Sequence, residues 1–534
     1  MMRRQSIGAS AAIRRYLENC GGATGTAGTT DIPGTRRLSA LARAALGVVG
    51  VFALTACTVG PNFEKPSVAI PATFKEGADW QHSAANPDGA LSSQWWLAFH
   101  DDILTGLVNQ SLKANQSIIS AEAAYREALA VVSANTASLF PTVTADMSAS
   151  RSSSSNSSGL NSVNTTNGTT TTGIRNSVSA TATASWEPDL WGEVRREIES
   201  AKQAAQSSDA QLAGERLSIA ASVATDYFEL RTLDLDIASD EQQQAVDNKL
   251  LAMTQAGYQQ GTESNDAILL AQDTLETVVA DLQTSKISRE QYEHALAVLT
   301  GVPPSSLSIP AQPAYVFATP TIPLSVPSVL LERRPDVIAA ERTAAAANAR
   351  IGVAEAAFFP TLDLSAEGGF QHNTLANLFS LPNRLWTLGP DLAATIFDGG
   401  ARSAAVAEAR ATYDEEAAAY RLAVLTAFQN VEDSLSSVNH LQTEASAFQN
   451  IYQRNQQLFS SEQAQLNAGT ASQQSVLTQQ LLLLTAEQSV RDAQGLLAQN
   501  AVALIKNLGG GWQWNQQTQS AVAVAAPAAL AAKP

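Results

Sequence analysis

Few side chains in this sequence are spaced for chemistry. The five histidines, His82, His100, His294, His372 and His440, stand far apart and never at metal-ligand spacing. No Gly-x-Ser-x-Gly elbow and no Walker A loop occurs, so nothing points to a nucleophilic hydrolase or a nucleotide-driven motor. The expectation is a protein that is not an enzyme and holds no cofactor or metal. One nucleophile does sit where modification is expected. Cys57 ends the run Leu54-Thr55-Ala56-Cys57, which closes a mostly apolar stretch starting at Leu38 behind Arg36 and Arg37. A basic flank, a short apolar region and small residues before a cleavage point make a secretory signal, here with an N-terminal extension and with Arg43 inside the apolar run.

The Cys after Leu-Thr-Ala resembles a bacterial lipobox. That resemblance implies cleavage before Cys57, acyl chains on its new terminus, and a covalent lipid as the only added group. The alternative is an uncleaved signal anchor. Thr58, rather than Asp, next to the Cys resembles a lipoprotein sent to the outer membrane. Cys20 leaves with residues 1–56, so the mature chain keeps no free thiol, which fits an oxidising compartment. The net charge of −17 over 534 residues has the wrong sign for nucleic acid. Two cysteines rule out a disulfide scaffold. No apolar run of about 20 residues follows the N-terminal region, which excludes a bundle of membrane helices.

The elements that must carry any function come in two copies. Ala121-Glu122 precedes Leu-Phe-Pro141-Thr as Ala340-Glu341 precedes Phe-Phe-Pro360-Thr; Leu190-Trp191-Gly192 parallels Ile396-Phe397-Asp398-Gly399; Gly261-Thr262 parallels Gly469-Thr470. Each unit reads helix, two strands, long helix, helix. The first is longer by twelve residues, expected in one loop. Val143, Ala145, Met147 and Ala149 alternate with polar residues, as do Val178, Ala180, Ala182, Ala184 and Trp186. Leu362, Leu364, Ala366 and Phe370 repeat the pattern, followed by Trp386, Leu388, Leu392, Ala394 and Ile396. Period two with one apolar face is a half-buried strand, and about ten residues is what a tilted strand needs to cross a bilayer. Residues 152–173, almost all Ser, Asn, Thr and Gly, read as an exposed loop, and 373–382 as a shorter one. Trp186, Trp191, Trp386 and Phe397 near the strand ends read as an interfacial girdle, with simple packing as the alternative.

The helices carry a heptad. Val424, Phe428, Val431, Leu435, Val438, Leu441, Ala445 and Phe448 step by three and four, a coiled-coil seam. The stretch from Gly399 to Leu466 has no Pro and would run roughly 100 Å as a helix. Gln211 to Ala256 and Ala267 to Leu299 read as helices too, with Gly261-Thr262 and Gly469-Thr470 as tight turns between antiparallel partners. Four strands cannot close a barrel, and an open edge is not tolerated in lipid. The chain must therefore oligomerise. Two copies would give eight strands around a side-chain-filled interior; three would give twelve around a lumen.

At this point the sequence resembles the TolC-like outer-membrane factors, in particular the NodT-type efflux lipoproteins. The matching residues are Val59-Gly60-Pro61-Asn62-Phe63 with Pro66; Gln94-Trp95-Trp96 with Phe99 and Asp101; Leu112-Lys113-Ala114-Asn115; Leu331-Glu332-Arg333-Arg334-Pro335-Asp336-Val337 with Ala340-Glu341-Arg342; and Ile351-Gly352-Val353-Ala354 leading to Phe359-Pro360-Thr361. The resemblance implies an α+β membrane protein. Its outer-membrane β-barrel has four strands per chain and twelve in a homotrimer, and continues into a long periplasmic α-helical coiled-coil barrel. The resemblance also implies the cell outer membrane as location, a periplasmic adaptor (membrane fusion protein) and an inner-membrane RND pump as partners, and passive exit of drugs or small solutes. Type I protein secretion, or a non-channel lipid-anchored periplasmic scaffold, are the alternatives.

The expected layout is a signal peptide over 1–56, a lipidated N-terminus and equatorial segment over 57–115, repeats over 116–310 and 334–508 joined by a linker at 311–333, and a tail over 509–534. In the family a periplasmic gate lies at the helix-hairpin turns. That implies Glu263 and Asp266 in the first turn and Ser475, Leu477 and Thr478 in the second, where Ser475 replaces a frequent Asp. Arg334-Pro335-Asp336 reads as a helix start, and Trp95 and Trp96 as anchors of the equatorial region.

Overall fold

The computed structural model describes residues 58–71, 73–76, 93–155, 172–318, 320, 322 and 333–512. Cys57, the signal segment, the tip of the Ser/Thr/Asn/Gly loop, Leu331-Glu332 and the tail beyond Trp512 lie outside the described residues.

Two units with the same order of elements follow one another. The first holds α2 (Gln116–Ala137), β1 (Thr142–Ser155), β2 (Thr172–Trp186), α3 (Glu193–Gln259) and α4 (Asn265–Leu299), preceded by α1 (Asp102–Ala114). The second holds α5 (Pro335–Ala356), β3 (Thr361–His372), β4 (Arg384–Ala393), α6 (Ala401–Asn467) and α7 (Gln473–Asn507). The paired helices have 22, 67 and 35 residues in both units, so the duplication is kept to the residue through the helices. The hairpins differ. Strands of 14 and 15 residues stand against 12 and 10, so the surplus of the first unit lies in its strands as well as its loop, not in the loop alone as expected.

The 67-residue helices need no compaction to form. Neither contains Pro, and α6 has no Gly. Each starts after a left-handed glycine, Gly192 at φ +86 and Gly400 at φ +99, which turns the chain out of the hairpin. Asp189 accepts from the backbone N and Nε of Arg195, and Asp398 accepts likewise from Arg402. The same carboxylate–arginine brace opens both helices. The helix α3 begins well before Gln211. Ser207, before that point, donates to the Ala339 carbonyl of α5 at 2.9 Å, so a neighbouring helix takes up its hydroxyl. At roughly 1.5 Å per residue α3 and α6 each extend roughly 100 Å.

Shorter helices fill the layer beside these struts. The helix α3 packs against α2 and α5 along one half and against α4 and α7 along the other; α6 packs against α5 and α7. The layer is thus four helices wide throughout, with α2 and α4 on one flank and α6 on the opposite flank. The expected seam is present: Val424, Phe428, Val431, Leu435 and Val438 are buried, and Leu441, Ala445 and Phe448 continue it half-buried. Its buried half joins the main core, which includes Tyr227, Phe228, Trp95, Trp96 and Phe99. Trp95 and Trp96 are therefore core residues.

The four strands form one antiparallel sheet in the order β1-β2-β3-β4, with the two hairpins joined between β2 and β3. Register keeps the alternation of each strand in phase with its neighbours. Val143 pairs with Ala184, Ala184 with Ala366, and Ala366 with Leu388. One residue over, Thr144, Thr183, Glu367 and Thr387 form the matching polar row. Through the middle of the sheet one face is therefore apolar and the other polar, while Arg151, Asn176, His372 and Arg384 share the apolar face towards the loop end.

Candidate functional site

Much of the sheet's apolar face is exposed among the described residues. Val143 is 72% exposed and Leu388 75%, with Met147, Trp386 and Leu392 exposed beside them. A patch of this extent on a sheet marks a surface built for another medium or molecule. The opposite face carries Ser and Thr along with Asp146, Asp363, Glu367 and Asp391, and Asp363 sits directly across from Asp391. Strands β1 and β4 each have a free edge among the described residues. The helical layer repeats the theme: α2 and α4 expose Ile119, Val131, Ile287 and Val298, and α6 exposes Leu422, Leu425 and Leu458. Among the described residues no helix is long and apolar enough to cross a membrane.

The residues after Cys57 are fastened where sheet meets helices. Val59 N donates to the Trp191 carbonyl at 3.1 Å. Buried Arg196, in the first turn of α3, donates to the carbonyls of Val59 and Gly60 and to Asn62 Oδ1, each at 3.0 Å, and to Glu199 at 2.7 Å. Asn348 of α5 donates to the Pro61 carbonyl. Gly60 lies so close to the Gly352 backbone that a Cβ on either would collide. The strap then follows α5 and α6: Lys65 pairs with Glu341 at 2.7 Å, and the backbone amides of Lys75 and Glu76 donate to the two oxygens of Glu432. Sequence reasoning missed Arg196, because one arginine in a first helical turn carries no signal of its distant partners.

Of the expected girdle, Trp386 and Phe397 are exposed and Trp186 is partly so, donating to the Leu139 carbonyl. Trp191 belongs to the packing alternative instead. It stacks on Phe359 with centroids 4.8 Å apart and donates to the Pro360 carbonyl at 2.7 Å. The Arg-Pro-Asp motif starts α5 as read, with Pro335 in the first turn and Asp336 accepting from Val337 N. Arg334 adds what the sequence did not reveal: its Nη1 donates to the Ala427 carbonyl of α6 and to the Asn507 carbonyl that ends α7.

At the far ends of the helices two matching turns close the hairpins. Gly261 has φ +77 and Gly469 φ +76, and Thr262 and Thr470 each donate their hydroxyl back to a carbonyl five residues earlier. Ser264 and Ser472 cap the return helices. Glu263 and Asp266 are exposed, with Asp266 in the first turn of α4. Ser475 Oγ donates to the Ser472 carbonyl and Thr478 Oγ1 to that of Gln474. Leu477 is placed differently from these. It is buried with Val246 and Leu484 in the seam between α3 and α7.

This geometry defines a class: a membrane-channel subunit whose sheet and helical layer are both incomplete in one chain. The outer membrane efflux protein family matches residues 107–302 and 326–510. The pyoverdine export outer membrane protein OpmQ of Pseudomonas aeruginosa is 31% identical over 465 residues, covering 84% of this chain and 95% of that one. The probable efflux pump outer membrane protein TtgC of Pseudomonas putida is 27% identical over 486 residues, covering 88% and 96%. The solved outer-membrane channel OprN superposes with a TM-score of 0.76 at 28% identity, covering 86% of this chain and all of that one. The chain belongs to the outer membrane efflux protein family, and it is an outer-membrane efflux component.

Proposed function

We propose that three copies of this chain close a twelve-stranded barrel in the outer membrane, joined to a periplasmic helical tube, as the passive exit duct of a tripartite efflux system. The observation that carries this is the sheet: an exposed apolar face, a polar face and two free edges. Free edges are not tolerated in lipid, so β4 of one copy pairs with β1 of the next. Four strands fall short of the smallest outer-membrane barrels, and twelve leave a lumen that the Asp, Glu, Ser and Thr face lines. The exposed apolar side chains of α6 meet those of α2 and α4 in the same arrangement.

A duct without an energy source needs partners. A periplasmic adaptor and an inner-membrane RND pump supply drive and cargo. The relatives named for toluene, antibiotics and pyoverdine favour small organic solutes over proteins. Cys57 is acylated and holds the chain in the membrane at the point where the strap meets Trp191. The tip closes through Glu263, Asp266, Ser475 and Thr478, with Leu477 holding α7 against α3 behind them.

The test is the heat-modified oligomer and single-channel conductance of the mature protein in planar bilayers. A trimer with small, rare openings that enlarge in Glu263→Ala or Asp266→Ala supports the gated duct. A monomer or dimer that leaves bilayers silent in every variant overturns it.

A further inference from the structure

The loop joining β3 to β4 exposes an apolar surface. Within residues 373–383 Leu375 is 61% exposed, Phe379 68% and Leu381 80%. The corresponding sequence of the first hairpin is almost all Ser, Asn, Thr and Gly, with Leu160 and Val163 among them. Three such side chains on a short loop are not what an aqueous surface selects.

Several of the loop's polar groups are answered within it. Two 3-10 turns, Leu375–Asn377 and Leu381–Asn383, bond their backbone locally. Leu378 N donates to the Leu375 carbonyl and Asn383 N to that of Ser380. Asn383 Nδ2 bridges the Asn377 carbonyl at 2.6 Å and Ser380 Oγ at 2.9 Å, and Thr374 N donates to His372 Nδ1 at 3.1 Å. Internal satisfaction is the condition irregular backbone must meet to sit where water is scarce.

The loop also leans to a definite side. The Phe379 ring meets the Phe370 ring edge-on at 5.6 Å. Phe370 shares its face of β3 with Leu364 and Ala366, and that face is continuous with exposed Leu388 of β4. Phe379 therefore extends the apolar face of the sheet rather than the polar one.

We propose that residues 373–383 are a lipid-immersed cap, with Leu375, Phe379 and Leu381 seated among the acyl chains of the outer leaflet. The shorter second hairpin thereby gains apolar height beyond its strands. This rests on reading the apolar sheet face as the lipid face.

The experiment uses nitroxide labels in the full mature protein in proteoliposomes. Labels are placed at Phe379→Cys, at Leu388→Cys for the sheet face and at Ser148→Cys for the polar face; the unsubstituted protein, labelled in parallel, corrects for Cys57. At 379 and 388 oxygen should relax the label more than a nickel chelate does, and at 148 the order should reverse. A label at 379 relaxed by the nickel chelate places the loop in water and overturns the cap while leaving the duct. A label at 379 reached by neither reagent means contact with a second copy and also overturns it. A water-like label at 388 overturns the lipid face and the cap with it. If Phe379→Cys does not assemble, Phe379→Trp serves. Its added emission should be quenched by brominated lipid and not by aqueous acrylamide; the reverse overturns the cap.

Discussion

Arg196 donates through Nε to the backbone carbonyl of Val59 at 3.0 Å, tying the first described residues to the first turn of a helix 137 residues further on. The same guanidinium holds Gly60 and Asn62, and Arg196 is 3% exposed. Hydrogen bonds to a charged group each contribute about 1.5–3 kcal/mol. Arg196→Ala should free residues 58–62, give new protease cleavage there, and lower the temperature at which the oligomer dissociates on a gel. Arg196→Lys restores only part, because Lys lacks the planar fork. Unchanged proteolysis in Arg196→Ala would sink the idea that this side chain holds the strap.

The hairpin tips separate packing from surface chemistry. Leu477→Ala opens a gap against Val246 and Leu484 and should cost about 2–5 kcal/mol. Thr478→Ala removes a hydroxyl whose only described partner is a carbonyl of its own helix, and should change stability by less than about 0.5 kcal/mol. Urea midpoints of the two variants decide the point. Equal midpoints would refute the placement of Leu477 in the α3–α7 seam.

A carboxylate pair crosses that same seam higher up. Burial, and then Asp492 of α7, push Asp236 of α3 up to about 7, with Asp240 on the next turn adding to it and Gln488 donating at 3.4 Å. Asp492 is raised by burial, with Glu229 and Asp240 adding to it and Arg491 opposing them. Asp281 and Ser285 of α4 face Asp240. Asp226 is likewise pushed up to about 6 by burial and Glu229. These groups hold protons in the folded state that the unfolded chain releases at the ordinary value of 3.8. Stability from them is complete below that value, falls as pH rises through 6 and 7, and is flat above. Melting temperatures should therefore drop between pH 5 and pH 8, and Asp236→Asn should flatten the slope and be the more stable protein at pH 8. A melting temperature that rises over this range would contradict the shared proton.

Gly495 of α7 meets Thr232 of α3 so closely that a Cβ would collide with the threonine hydroxyl. Gly495→Leu should force α3 and α7 apart, costing about 1–3 kcal/mol or more, whereas Gly106→Ala in α1, with open space at its Cβ, should be neutral or stabilising. Thermal denaturation of both variants tests whether the two helices are at their distance of closest approach.

What the sequence by itself determined is whatever depends on period and punctuation. The strands are legible because Val143, Ala184, Ala366 and Leu388 each belong to a run of period two. The duplication is legible because Gly261-Thr262 and Gly469-Thr470 end helices of the same length. The seam from Val424 to Phe448 announces itself by steps of three and four. The tertiary structure decided whatever depends on residues far apart in the chain. Trp191 reads as a girdle residue until Phe359 lies beneath it, and Leu477 reads as part of a constriction until Val246 covers it. Asp101 caps α1 and also accepts from Tyr227 and Tyr315 at 2.7 and 2.9 Å, a junction no local pattern encodes. Periodicity reports which face of an element is apolar. Only packing reports what that face meets, because one apolar stripe serves equally against a neighbouring helix, a second copy or lipid.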